Sequence, residues 1–256
     1  MSSAPPVIKN LPVTNRHDVY DAISPEPYFS AKARILTETG SSRTSAEVLA
    51  LAADVSDPKD IEQVVAKVIE KYGHLDVAVA NAAIGGSWDK RFTEGDPYND
   101  WWKIMEVNVR GPYNVAHYAL PQLEKTGGSF VAVSSLACQA SLPFASAYSV
   151  SKSALNRLVE YTAMEYPSVR SFTIHPGRIL TQAPTLRAGP APKWEPTASD
   201  TLQLPAAIIL KLTDGSGRFD FLSGRFLSAN WDLEEVERDW KKDIVEKDML
   251  VTRFVV

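Results

Sequence analysis

From Val48 onward, two kinds of hydrophobic pattern alternate along the chain. Short apolar runs are spaced by longer stretches in which apolar residues return every three or four positions. The runs Val48–Val55 (VLALAADV), Leu75–Ala83 (LDVAVANAA), Gly128–Ala137 (GSFVAVSSLA), Val169–Gly177 (VRSFTIHPG) and Leu222–Asp232 (LSGRFLSANWD) read as strands. Between them, Asp57–Gly73, Tyr98–Leu123, Ala147–Tyr166 and Asp200–Thr213 carry the helical period. The first of these helices has a Ser56/Asp57 start and a glycine stop; the second carries a Gly-Pro irregularity near its middle. Strands apolar on both faces and alternating with helices predict a parallel sheet covered on each side, an α/β fold.

Upstream of this region the pattern is weaker. Residues 1–30 are rich in Pro, Ser, Asn and Asp without a period and read as an irregular arm, followed by a helix over residues 31–39 that ends at Gly40. The expected organisation is therefore an arm, 1–30, and one α/β domain, 31–256.

Composition narrows the function. The 256 residues are 45% hydrophobic and 23% charged, with a formal net charge of -4 and no basic run longer than Lys241–Lys242. Nucleic acid is a poor partner for such a surface. The first ten residues lack the apolar stretch of a signal peptide, and no apolar run approaches the about 20 residues a membrane span requires. One cysteine, Cys138, allows no internal disulfide. A cytoplasmic protein with no membrane partner is expected. The four histidines are scattered, and none has metal-ligand spacing, so no metal is expected.

In sheets of this kind ligands bind beyond the C-terminal strand ends, where Asp54, Asn81, Ser134, Ser135 and the turn after His175 fall. Tyr148 and Lys152 are four residues apart and share a helix face, about one 5.4 Å turn from each other. An ammonium at that distance lowers a phenol pKa from its usual value of about 10, so that the tyrosine exchanges protons near neutrality. Ser135 ends the preceding strand and would hold the oxygen that takes part in the exchange. Asn108 is a polar residue in the middle of a helix. Singly, each has an ordinary structural role as surface pair, strand-end cap or satisfied buried amide. Their joint order, one per element, is harder to reconcile with that.

With these residues in place, the sequence resembles the short-chain dehydrogenase/reductase family from Val48 to the C-terminus. NAAIG is similar to the family's Asn-Asn-Ala-Gly motif, with Ala83 in place of a glycine. VNVRG is similar to its helical asparagine motif, SSLACQASLPFASAYSVSK to its Ser-x12-Tyr-x3-Lys site, and PGRILT to its Pro-Gly turn. The arm (HDVYDAISPEP) and the ending (SGRFLSANWD) resemble a fungal branch linked to secondary metabolism.

The resemblance implies a Rossmann-like doubly wound sheet and hydride exchange between NADP or NAD and a carbonyl or alcohol. It implies Tyr148 as acid/base, Lys152 as the group that lowers its pKa and holds the nicotinamide ribose, Ser135 orienting the carbonyl, and Asn108 anchoring a water-linked proton path. Asp54 and Val55 would meet the adenine, Asn81 and Ala82 its ribose, and Ile179 and Thr181 the carboxamide. The substrate would be a small apolar molecule, walled by Trp88, Phe92, Tyr98, Trp101 and Trp102, of which at least one adjacent tryptophan is expected in the core. Thr185–Asp200, with Trp194, falls where the family keeps its lid, and the helices that begin near Tyr98 and Tyr148 are faces the family uses to form homo-oligomers.

One part of the family pattern is missing. The family opens with a strand, a Thr-Gly-x3-Gly-x-Gly turn, a helix and a second strand, whereas Gly40 is the only glycine before Gly73 here. That turn brings backbone N–H groups to the cofactor diphosphate. The first two strands are therefore expected to be absent. Either Val48–Val55 pairs directly with Leu75–Ala82, or the arm fills the space, or the chain is an altered gene product. Without that turn, two further functions come into view: acid/base catalysis without a cofactor (isomerase, dehydratase or cyclase), and a non-catalytic binding role.

Overall fold

A computed structural model describes residues 49–179 and 200–254. The arm, the 31–39 helix, Val48, Thr181 and all of the expected lid except Asp200, Trp194 included, lie outside the described residues.

Four strands, β1 (Val77–Ala80), β2 (Ser129–Val133), β3 (Arg170–His175) and β4 (Arg225–Ser228), form one parallel sheet in the order β1-β2-β3-β4. Each crossover carries a helix. Helix α1 (Pro58–Tyr72) precedes β1, α2 (Gly111–Thr126) joins β1 to β2, α3 (Ser146–Glu165) joins β2 to β3, and α4 (Gln203–Leu212) precedes β4. A short α5 (Lys241–Glu246) follows β4.

The two-residue period of β2 shows why the sheet is covered on both sides. Phe130 and Ala132 enter one core with Leu120, Leu123, Leu155 and Val159 of α2 and α3. Val131, between them, enters the other with Phe172, Leu204, Ile208, Leu227 and Trp231. All three β2 residues are fully buried. Burying a large apolar side chain contributes about 1.5–3 kcal/mol, so these two clusters supply the main driving force for the fold.

Local chemistry sets the helix limits. Asp57 caps α1 by accepting from Lys59 N, Pro58 occupies the first turn, and Gly73 closes it in the left-handed conformation, φ 80°. Pro205 is accommodated in α4 because it falls in the first turn, where no intrahelical N–H is required. Before α2 the chain is already helical, through π-type turns at Pro97–Trp102 and Glu106–Arg110 around Lys103–Met105. Pro112 has no N–H for the carbonyl of Asn108 and its ring crowds it, so the helix widens by one residue there. The irregularity expected at Gly-Pro is therefore a π turn centred on Asn108.

One expected strand does not form. Residues 49–54 join no ladder, and β1 pairs only with β2 among the described residues. Local side-chain bonds take the backbone instead: Asp54 N donates to Asp60 Oδ2 (2.9 Å), and Asp54 Oδ1 accepts from Ser56 N (2.8 Å) and Ser56 Oγ (2.7 Å). These bonds turn the chain into α1, a use of Asp and Ser that competes with strand pairing. Val55 then packs beside α2, with its carbonyl accepting from Asn114 Nδ2 at 2.9 Å.

Candidate active site

The C-terminal ends of β1, β2 and β3 bring the predicted residues to one edge of the sheet. Asn81, Ala82 and Ala83 follow β1 and are exposed, Ser134 and Ser135 follow β2, and His175 ends β3. Helix α3 crosses this edge with Tyr148 half-buried and Lys152 buried.

Tyr148 is under opposing influences. Burial pushes its phenol above the usual value, and a hydrogen-bond contact with the Ser135 hydroxyl pulls it back. The lowering expected from Lys152 is not what governs it. Lys152 Nζ lies 5.7 Å from the ring centre and donates to the Val133 carbonyl at 2.8 Å. Burial holds that amine down at about 8. The helical spacing thus puts the two residues on one face, but the ammonium is directed to the end of β2.

The π turn directs Asn108 inward. This fully buried amide accepts from Ile84 N (2.9 Å), donates to Ile84 O (2.9 Å) and donates to Ser151 Oγ (3.1 Å). Ser151 in turn donates to the Tyr148 carbonyl at 2.7 Å. Asn108 therefore ties the segment after β1 to the first turn of α3, one turn from Lys152. Ser151, which completes this link, was not marked by any feature of the sequence except its place inside the Tyr-x3-Lys interval.

Two further residues shape the edge without having been singled out as functional. His175 is buried; Leu136 N donates to its Nδ1 (3.4 Å), and Nε2 has no partner among the described residues. Burial holds the imidazole down at about 4, and it is neutral at physiological pH. Asp200 pairs as an isolated bridge with Ile179, and its carboxylate accepts from Arg178 N. Gly177, at φ 93°, passes this carboxylate so closely that a Cβ would sit 2.7 Å from Oδ2. The Pro-Gly turn needs its glycine for both reasons.

Two hollows open on this edge. One, of about 540 Å3, is lined by Tyr148, Phe92, Trp101, Trp102, Ile104 and Phe144 among others. Trp88 borders Tyr148 with ring centres 5.9 Å apart, whereas Tyr98 is 79% exposed. Neither tryptophan of the adjacent pair enters the core: Trp101 is half-buried and Trp102 is 55% exposed. The second hollow, open and about 620 Å3, runs along Ala52–Val55, Asp60, Ala82 and Val107. Asp54 stands exposed at its border, and its hydrogen bonds with Ser56 keep its carboxyl below the usual range. No helix among the described residues is long and apolar enough to cross a membrane.

Comparison with known proteins places this architecture. Residues 28–201 match the family model described as enoyl-(acyl carrier protein) reductase. The short chain dehydrogenase mpl6 of Monascus purpureus is 34% identical over 213 residues, covering 82% of this chain and 70% of that protein. The short chain dehydrogenase andI of Emericella variicolor is 35% identical over 208 residues, covering 80% and 69%. Among solved structures, an alcohol dehydrogenase from the archaeon Thermococcus sibiricus, complexed with 5-hydroxy-NADP, superposes with a TM-score of 0.59 at 28% identity, covering 71% of this chain and 74% of that one. The parallel sheet with helices on both faces agrees with these matches: the chain is a member of the short-chain dehydrogenase/reductase family of oxidoreductases.

Proposed function

We propose that this chain is an NAD(P)-dependent oxidoreductase that interconverts a carbonyl and an alcohol on a small, mainly apolar molecule. The observation that carries this reading is the position of the Tyr148 phenol at the wall of the 540 Å3 cavity, with the Ser135 hydroxyl near enough to lower its pKa. A carbonyl oxygen bound between them takes hydrogen bonds from both hydroxyls. As negative charge grows on that oxygen during reduction, Tyr148 passes it a proton, and the reverse step runs for oxidation. The Lys152 ammonium, held on the Val133 carbonyl 5.7 Å from the ring centre, acts on the phenolate left behind only as a nearby positive charge. Asn108 acts through Ser151 to hold the first turn of α3, and is proposed to anchor the water path that returns the proton.

The residues fit a dinucleotide at its two ends. The open hollow beside Asp54, Val55 and Ala82 has room for an adenine, and the exposed Asn81-Ala82 backbone offers polar groups to its ribose. Lys152 and Ile179 border the nicotinamide end, with Thr181 as the further proposed contact. When bound, the nicotinamide supplies or accepts the hydride. For the diphosphate the sequence offers no glycine turn, with Gly40 alone before Gly73. That departure favours a second reading, acid/base catalysis by the same Ser135, Tyr148 and Lys152 without a dinucleotide. The fungal short chain dehydrogenases support a place in secondary metabolism, and a second copy of the chain is a proposed partner, through Tyr113, Val150, Tyr161 and Met164, exposed on α2 and α3.

Calorimetric titration of the chain with NADPH and with NADH separates the two readings. Micromolar binding, with carbonyl-dependent oxidation of the cofactor that disappears in Tyr148→Phe while the melting temperature stays put, is the expected result. A cooperatively folded chain that binds neither nucleotide rejects the first reading and leaves the second.

A further inference from the structure

Phe144 lines the same cavity as Tyr148, in the turn that leads into α3. Its backbone is at φ 66°, a left-handed conformation that bulky residues disfavour and glycine, asparagine and aspartate adopt more readily. Burial does not offset this strain, since the residue is 49% exposed. Strained backbone of this kind clusters at ligand sites; Leu250 has the same φ away from this cavity, so it is the place of Phe144 on the cavity wall that directs attention to it.

Phe144 does not stand alone. Phe92, 73% exposed, and Trp102, 55% exposed, line the cavity with half-buried Trp101. Their rings meet at steep angles: Phe92 and Trp101 are 6.2 Å apart at 64°, Trp101 and Trp102 5.3 Å apart at 76°. Trp101 donates its indole N–H to Ser146 Oγ at 3.2 Å, so what it offers a ligand is its ring. The two cations on the wall are already paired. Lys90 Nζ lies 2.7 Å from Asp100, and Arg91 Nε 3.3 Å from Glu94. An anion entering here would have to compete with both carboxylates, and Asp96 also lines the wall.

We propose that Phe144, with Phe92, Trp101 and Trp102, forms an aromatic clamp that selects a flat, uncharged aromatic carbonyl compound, and that Phe144 sets this selectivity. The ring system stacks between the aromatic walls with its carbonyl at Tyr148, and a cavity of about 540 Å3 is in the range of small-ligand sites. Thioesters carried on coenzyme A, which bring phosphate charge, are disfavoured. The direction of the carbonyl rests on the oxidoreductase reading; the stacking does not.

The test uses acetonaphthone as the aromatic probe and acetoacetyl-CoA as the anionic one, each titrated by quenching of tryptophan fluorescence in the full chain. Acetonaphthone is expected to bind at least about tenfold tighter than acetoacetyl-CoA, and Phe144→Gly to weaken it about tenfold. Because glycine suits φ 66°, the melting temperature of Phe144→Gly is expected to hold or rise; Phe144→Asn, also tolerant of that conformation, serves as a second variant. Unchanged acetonaphthone affinity in both variants overturns the clamp, and so does tighter binding of acetoacetyl-CoA. Quenching needs no hydride transfer. Normal ring binding without any NADPH turnover therefore rejects the oxidoreductase reading and keeps the clamp, whereas turnover with indifference to Phe144 does the reverse.

Discussion

Asn108 holds the backbone of Ile84 from both sides, its Oδ1 accepting the N–H and its Nδ2 donating to the carbonyl, each at 2.9 Å. The amide thereby acts as a missing strand neighbour for the segment just after β1. It also reaches Ser151 at 3.1 Å, so one fully buried side chain couples two of the elements that build the edge.

Replacing Asn108 by Ala would leave the Ile84 N–H and carbonyl and the Ser151 hydroxyl short of a partner. Each such group costs about 1–3 kcal/mol, and the expected loss is about 3 kcal/mol of stability. Asn108→Asp is expected to do no better, since it keeps the acceptor but sets a carboxylate against the Ile84 carbonyl. Urea unfolding reads both: the midpoint should fall with the slope unchanged. A variant as stable as the parent would show that the clasp carries little.

Much of this edge was legible in the sequence because it depends on spacing. A parallel sheet, a helix that presents Tyr148 and Lys152 on one face, and strand ends at Asn81, Ser135 and His175 all follow from period and order. What escaped depends on alternatives open to the backbone. Val48–Val55 has the composition of a strand, yet Asp54, Ser56 and Asp60 close a turn among themselves, and a window of apolar residues does not register that competition. The Lys152 ammonium was expected at the phenol because helix geometry fixes Cβ positions; the Val133 carbonyl, brought close by the end of β2, takes it instead. The strain at Phe144 is invisible in composition, since nothing in the letters around it forces a positive φ.

Lys152 also makes a pH prediction. Its folded pKa of about 8 is below the usual lysine value of 10.5, so the folded chain holds fewer protons between those limits and stability rises with pH across them. At pH 7 the buried ammonium costs the fold about 3 kcal/mol relative to its neutral form. Lys152→Met removes that cost but leaves the Val133 carbonyl without its donor, about 1 kcal/mol in the other direction. The variant is expected to be more stable than the parent at pH 7, with the difference shrinking toward pH 10.5, and to have lost turnover. Denaturant melts at pH 7, 9 and 10.5 measure this; a variant less stable at every pH would mean that the ammonium is a net structural asset.

His175 has the opposite end of the pH range. Its pKa of about 4 is depressed from 6.5, first by burial, with Arg178 adding to the effect and Asp200 opposing it. An unfolded chain would take up the proton near 6.5 while the folded one resists until about 4. Stability that is fully present above pH 6.5 is therefore lost progressively as pH falls through that interval, by about 3 kcal/mol for this one group. The loss matters to the edge because neutral Nδ1 accepts from Leu136 N at 3.4 Å, in the turn that follows Ser135. Protonation puts a hydrogen on that acceptor and turns the contact repulsive. His175→Asn keeps a side-chain acceptor and cannot ionise in this range. It is expected to flatten the stability profile between pH 6.5 and 4, measured by urea melts in matched ionic strength, and to preserve activity at the acid end better than the parent. Parallel profiles for the two proteins would assign the acid loss to other groups and leave His175 as packing alone.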